Sequence, residues 1–102
     1  MTKYSKVPIL AIDTSTSYLS LALAVNTNIY TRHLNVGNKQ SEQILPQITE
    51  LFNQAGILAS DLGQIVYSAG PGTFTGLRIG IGVAQGLATP FDTPLQGVPT
   101  LD

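Results

Sequence analysis

The sequence contains no cysteine, no tryptophan and a single histidine, His33. Without cysteine, neither a disulfide bond nor a thiolate metal site can form. A single histidine cannot build a histidine-rich metal site, and it would serve a Ser-His-Asp triad only beside an activated serine. We therefore expect no metal centre and no catalytic residue in this chain, and we interpret His33 as a surface or hydrogen-bonded residue of a strand.

Charged residues are also scarce. They make up 11% of the 102 residues, against 43% that are hydrophobic, and the formal net charge is −1. Five basic residues against six acidic ones leave no basic patch able to neutralise several phosphates, which argues against strong, direct binding of nucleic acid. A small domain with so few charges has little polar surface to cover it, so we expect part of its apolar surface to be hidden against another protein.

Long hydrophobic runs are absent as well. No apolar run approaches the ~18 residues of a membrane-spanning helix. The first residues, MTKYSKVPILAID, lack the apolar segment of a signal peptide. We therefore expect no membrane association and a location in the cytoplasm, where the protein is made.

Five segments have the composition and periodicity of β-strands. They are Val7 to Ile12, Tyr18 to Val25, Ile29 to Leu34, Leu62 to Ser68 and Pro94 to Val98. The first three are separated by short polar turns, which predicts an antiparallel meander. The last two strands alternate with helical segments, which is typical of parallel pairing.

Two helices are predicted, over Ser41 to Ala55 and over Phe74 to Ala88. Because Pro46 lacks an amide hydrogen, we expect regular hydrogen bonding in the first helix to begin near it, with Ser41 to Leu45 as an entry turn. Residues 99–102 resemble the start of a further helix capped by Thr100. The order βββαβαβ predicts an α/β fold of the ribonuclease-H-like class, with a mixed five-stranded sheet and helices on its faces.

The second helix carries glycine at almost every turn, at Gly76, Gly80, Gly82 and Gly86. Each glycine costs about 1 kcal/mol relative to alanine, so close packing must offset the cost. Either the chain's own sheet or a partner's helix would explain the glycines, and both alternatives are open. Arg78, a polar exception on this helix, is suited to an ion pair with Asp13, to a phosphate or to an interface, and the ion pair is the favoured alternative.

Two segments are weak candidates for phosphate binding. They are Asp13, Thr14 and Ser15, after the first strand, and Gly70, Gly72 and Thr73, before the second helix. A carboxylate suits a cation, and hydroxyls and free amides suit phosphoryl oxygens. The alternative is structural in both places. Side-chain hydrogen bonds would close the turn after Asp13, and the glycines would form a tight turn without a ligand.

Four motifs, ILAIDTSTSYLSLAL, SEQILP, GPGTFTGLRIGIGVAQGLA and GVPTLD, together resemble the amino-terminal lobe of the TsaB (YeaZ) family. The resemblance covers Ile9 to Asp102, and the third motif is the most specific. It implies that residues 1–102 form one lobe of the actin-like ATPase fold, with the second lobe absent. It also implies a non-catalytic partner of the threonylcarbamoyltransferase TsaD. Together with the ATPase TsaE, TsaD places threonylcarbamoyl on the adenosine beside the anticodon of tRNAs that read ANN codons.

The family pairs through its two amino-terminal helices, so the resemblance implies a homodimer and a heterodimer with TsaD, with tRNA bound only indirectly. The implied interface residues are Ser41, Glu42, Leu45, Ile48, Phe74, Gly76, Leu77, Arg78, Gly80 and Ile81. Gln40 stands where the family usually has histidine. Ser15 stands where the superfamily's phosphate loop usually has glycine, so we expect no cofactor.

Two other functions stay open at this point. The alternative to the partner subunit is a nucleotide-binding lobe of an actin-like ATPase or kinase-type enzyme, resting on Asp13 and on the glycine turn before the second helix. A glycoprotease-like peptidase, the activity suggested by an old label of the wider family, ranks last because the chain has one histidine and no cysteine.

Overall fold

Five strands and two helices follow one another in the predicted order. In the computed structural model, residues 7–71 and 74–99 are described. In chain order the elements are β1 (Ile9–Asp13), β2 (Tyr18–Val25), β3 (Asn28–Asn35), α1 (Gln40–Ala55), β4 (Gln64–Gly70), α2 (Phe74–Ala88) and β5 (Leu95–Pro99). Single 3-10 turns at Ala59–Asp61 and Thr89–Phe91 precede β4 and β5. The predicted α/β class and the βββαβαβ order are confirmed.

The strands form one mixed sheet in the order β3-β2-β1-β4-β5. The first three strands are an antiparallel meander, and β4 and β5 run parallel to β1. Leu10 of β1 lies opposite Leu23 of β2 on one side and Ile65 of β4 on the other. All three side chains are fully buried. This row is the centre of the hydrophobic core.

Both helices pack on the same face of the sheet. Apolar side chains from alternate positions of β1 and β2 form one core cluster with Ile44, Ile48 and Leu51 of α1 and with Ala84 and Ala88 of α2. The opposite face has a depression of about 420 Å³ whose lining includes Ala11, Ala22 and Val66. No described helix has the length and apolar character needed to cross a bilayer.

The prediction for the start of α1 is wrong. The helix begins at Gln40, and Pro46 lies inside it on the exposed side. A proline early in a helix removes one hydrogen bond, and an outward-facing ring is tolerated there. The first turn is held from outside the helix, because Gln40 Nε2 donates to the carbonyl oxygens of Thr16 at 2.8 Å and Tyr18 at 3.2 Å. The predicted helix start at residues 99–102 is not observed at Pro99, which ends β5, and residues 100–102 lie outside the described part.

The glycines of α2 divide between two sides of the helix. Thr14, which follows β1, is buried, and its hydroxyl donates to the Gly76 carbonyl oxygen at 2.5 Å. A Cβ at Gly80 would overlap Thr14 Oγ1, whereas a Cβ at Gly82 or Gly86 would meet no atom within 4 Å. Gly76 and Gly80 therefore pack against the chain's own sheet, whereas Gly82 and Gly86 leave bare backbone at the surface.

This division predicts opposite effects for two alanine substitutions on one helix. Gly80→Ala is expected to lower the free energy of unfolding by about 1–2 kcal/mol, because the new methyl group overlaps the buried Thr14 hydroxyl. Gly82→Ala, the matched control, is expected to raise it by up to about 1 kcal/mol, because alanine is the better helix former and its Cβ enters open space. Urea unfolding followed by circular dichroism measures both. Equal stability of the two variants would contradict the packing described here.

Candidate functional site

An apolar groove lies where α2 passes the first turns of α1, with a volume of about 550 Å³. It is lined by Ser41, Ile44 and Leu45 of α1 and by Arg78, Ile79, Gly82, Val83, Gly86 and Leu87 of α2. We call this surface the α1/α2 groove. Leu45 at its edge is 51% exposed, and Gly82 and Gly86 are exposed along it. Apolar surface gathered around a concave strip of bare backbone is typical of a site for another protein.

Helix geometry explains why the groove runs along this side of α2. Successive residues are rotated by about 100° around the helix axis, so Gly80 and Gly82 differ by about 200° and lie on nearly opposite sides of the helix. Because Gly80 faces Thr14 and the sheet, Gly82 faces outward. Arg78 and Gly86 lie four residues before and after Gly82 and share its side, which is why all three line the groove.

The structure divides the residues that the sequence predicts for an interface into two groups. Ser41, Glu42, Leu45 and Arg78 are exposed, and Ile81 is half-buried. Ile48, Gly76, Leu77 and Gly80 are buried inside the chain, and the Phe74 side chain lies outside the described part. A residue that the chain buries in its own interior offers no side chain to a partner. Sequence reasoning did not name the groove residues Ile44, Ile79, Gly82, Val83, Gly86 and Leu87 as site residues, although the glycine spacing pointed toward two of them.

Arg78 does not form the ion pair with Asp13 that the sequence favours. Within residues 7–71 and 74–99, the ion pair joins Arg32 to Glu50, at 3.8 Å. Asp13 is engaged by its own turn, because its Oδ1 accepts hydrogen bonds from the Ser15 backbone N–H at 2.9 Å and the Ser15 hydroxyl at 2.7 Å. Arg78 lies instead on the groove side of α2.

In the first candidate phosphate segment, Asp13 to Ser15, the side chains form hydrogen bonds that close the turn, as the structural alternative predicts. Asp13 binds Ser15, and Thr14 binds the Gly76 carbonyl, so these polar groups hold the turn between β1 and β2 and connect it to α2. In the second segment, Gly70 ends β4 with a φ of 106°, a backbone conformation that suits glycine. Gly72 and Thr73 lie outside the described residues. The expectation that no cofactor binds here stays a prediction.

His33 has a serine beside it, but the arrangement is not a catalytic triad. His33 is exposed on β3, with Nδ1 2.7 Å from Ser20 Oγ and its ring stacked on Tyr18 at a centroid distance of 4.6 Å. Asp13 pairs in register with Ser20 from β1, on the side away from His33. A triad needs the imidazole between the hydroxyl and the carboxylate, and here the serine is in the middle. Among the described residues, no three acidic or histidine side chains are grouped to hold a metal.

Gln40 anchors the start of α1 to the turn between β1 and β2. It is 3% exposed, and because both acceptors of its Nε2 are carbonyl oxygens, the orientation of its amide is determined. Its Oε1 has no hydrogen-bond partner among the described residues. Gln40 also lines a small depression of about 190 Å³ together with Thr75 and Gly76, so the first turns of α1 and α2 meet there, at the Ser41 end of the groove.

Comparison with known proteins decides the family. Residues 35–102 match the family model described as TsaD, tRNA N6-adenosine threonylcarbamoyltransferase. The protein named tRNA threonylcarbamoyladenosine biosynthesis protein TsaB from Escherichia coli is 40% identical over 91% of this chain and 40% of its own length. The chain belongs to the TsaB (YeaZ) branch of the TsaD family. The TsaB of Bacillus subtilis is 36% identical over 92% of the chain and 42% of its own length. This TsaB-type chain thus spans about two fifths of the curated relatives it matches.

Solved structures agree with the TsaB assignment. YeaZ from Pseudomonas aeruginosa superimposes with a TM-score of 0.90 at 36% identity, over 93% of this chain and 45% of that one. RuvC from Thermus thermophilus, solved with a Holliday junction substrate, superimposes with a TM-score of 0.60 at 8% identity, over 91% of this chain and 64% of that one. The RuvC likeness concerns the fold alone, and it fits the ribonuclease-H-like class predicted from the order of elements.

The role of Gln40 is testable by its removal. Gln40→Ala is expected to lower the free energy of unfolding by about 1–2 kcal/mol, because two hydrogen bonds to the turn between β1 and β2 are lost. Gln43→Ala is the matched control, since Gln43 lies on the same helix, is half-buried and has no side-chain hydrogen bond in the described part of the chain. Urea unfolding of both variants measures the difference. Two variants of equal stability would show that Gln40 does not anchor α1.

Proposed function

We propose that this chain is the amino-terminal part of a non-catalytic partner subunit in tRNA threonylcarbamoyladenosine biosynthesis, and that it binds a TsaD protein through the α1/α2 groove. The observation that carries the proposal is the groove itself, an apolar surface beside bare backbone at Gly82 and Gly86. The names of the TsaB relatives support the pathway, and the match to the TsaD family model supports a partner of related fold.

The groove suits a helix of the partner. Without side chains at Gly82 and Gly86, the backbone of a second helix can approach α2 closely and gain dispersion contacts along its length. Leu45 and Ile79 would flank such a helix. The α1/α2 groove would also pair two copies of this chain when TsaD is absent, so we propose that the homodimer and the heterodimer compete for one surface.

In this assembly, catalysis would lie in TsaD, and tRNA would bind to the complete complex. In this chain Asp13 is bound within its own turn, and Ser20 separates it from His33. A net charge of −1 supports indirect rather than direct contact with tRNA. The further parts of the proposal are the participation of TsaE, modification of the adenosine beside the anticodon of tRNAs that read ANN codons, and a cytoplasmic location. Within the described residues, the geometry favours neither the nucleotide-binding enzyme lobe nor the peptidase.

A pair of leucine variants tests the groove. Leu45→Asp is expected to weaken binding to TsaD from the same organism by about 100-fold or more, because a carboxylate would be buried in the apolar interface. Leu58→Asp is the matched control, because Leu58 is 69% exposed and lies outside the groove. Titration calorimetry gives the affinities, light scattering gives the masses, and circular dichroism confirms that both variants fold.

The same variants connect binding to activity. In a reconstituted reaction containing TsaD, TsaE and tRNA, formation of threonylcarbamoyladenosine should fall with Leu45→Asp and stay unchanged with Leu58→Asp. A native chain that forms no complex with TsaD, or two leucine variants that bind TsaD equally well, would contradict the proposed function.

A further inference from the structure

Arg78 is the one charged residue among those that line the α1/α2 groove. It is exposed, and within the described residues its side chain makes no hydrogen bond or ion pair. A guanidinium remains charged at any physiological pH and presents a planar set of donors that fits a carboxylate in bidentate fashion. The groove therefore offers, beside its apolar walls, a cation whose donors are not used within the described part of the chain.

The surroundings of Arg78 add to its positive charge. Arg78 is the fifth residue of α2, near the end of the helix that carries partial positive charge, and α2 has no acidic residue in its first turn. The start of α1 lies at the same end of the groove, and its N-cap residue, Lys39, makes no side-chain capping bond. The one acidic residue in that first turn is Glu42. Two basic residues and the amino-terminal ends of two helices thus lie near this end of the groove, against one acidic residue.

Arg32, by contrast, uses its guanidinium for contacts within the chain. Its guanidinium donates to the Thr31 carbonyl oxygen at 2.8 Å and to Gln54 Oε1 at 3.0 Å, and it lies 3.8 Å from a carboxylate oxygen of Glu50. The contacts with Gln54 and Glu50 connect β3 to α1. Arg78 has none of these contacts, although it projects from a helix whose other groove residues are apolar or glycine.

We propose that Arg78 anchors a carboxylate of the protein that fills the groove. The partner helix would pack its apolar side chains along Gly82 and Gly86 and would place an Asp or Glu over Arg78, at the end near Ser41. This inference rests on the proposed function and adds to it the chemistry of the partner surface. Once the partner covers Leu45 and Ile79, these apolar side chains would keep water from that end, and the pair would be stronger than an exposed ion pair. It also determines which end of the partner helix faces Ser41.

Variants at Arg78 separate its charge from its bulk. Arg78→Met keeps an aliphatic stem and should weaken binding to TsaD about tenfold, and Arg78→Glu should weaken it about 100-fold by repulsion. Arg78→Lys keeps the charge without the bidentate geometry and should have an intermediate effect. Arg32→Met is the matched control, and its affinity should stay within about twofold of the native value, because Arg32 does not line the groove. Calorimetry at low and high salt should show weaker salt dependence for Arg78→Met than for the native chain.

A charge exchange identifies the carboxylate. Each exposed Asp or Glu of the TsaD protein is replaced by Arg, and each variant is tested against Arg78→Glu. One of these partner variants should restore the affinity that Arg78→Glu loses, while weakening binding to the native chain.

Three results would overturn the inference, and they are distinguishable. If Leu45→Asp abolishes the complex while every Arg78 variant binds as the native chain does, the Arg78 anchor is wrong and the proposed function stands. If the native chain does not bind TsaD, both are wrong. If the Arg78 variants weaken only the association of two copies of this chain, the carboxylate belongs to a second copy rather than to TsaD.

Discussion

The contact between Thr14 and α2 is the constraint on which the rest of the structure depends. Thr14 follows β1, the central strand of the sheet, and its hydroxyl is bonded to the Gly76 carbonyl oxygen while Gly80 lies against the same side chain. A side chain at Gly80 would overlap the Thr14 hydroxyl that makes this hydrogen bond. Once this side of α2 faces inward, the helical period turns Arg78, Gly82 and Gly86 outward. The groove is therefore a consequence of how α2 is anchored.

The turn between β1 and β2 holds both helices. Thr14 binds α2, and the carbonyl oxygens of Thr16 and Tyr18 accept hydrogen bonds from Gln40 at the start of α1. One short segment thus contacts the first turns of both helices that border the α1/α2 groove. The same residues that resemble a phosphate-binding loop in sequence serve here as a structural hub, because their donors and acceptors are used within the chain.

This arrangement fits a subunit that acts by binding another protein. A composition with 11% charged residues leaves apolar surface that the small core does not bury, and the structure gathers part of that surface along one helix pair. The arrangement of Asp13, Ser20 and His33 does not have the order of a catalytic triad. Membership of the TsaB branch and the geometry of the groove both support the proposed assembly with a TsaD protein.

The sequence by itself determined the strands, the helices, their order and the family. The strands are legible because period-two alternation in β2 and the apolar run of β1 are local patterns of the sequence. The glycine-rich helix and its flanking motif are improbable enough by chance to identify the TsaB branch. Helical period also implied that Gly76 and Gly80 lie on a different side of α2 from Gly82 and Gly86. Only the tertiary structure decided which pair faces the sheet, because that depends on Thr14, 62 residues before Gly76 in the chain. For the same reason the sequence misplaced the start of α1 and predicted an ion pair between Arg78 and Asp13 that the described residues do not form. Gln40 donates to a carbonyl oxygen outside its own helix. Within the described part of the chain, the Asp13 carboxylate accepts hydrogen bonds from its own turn and none from Arg78.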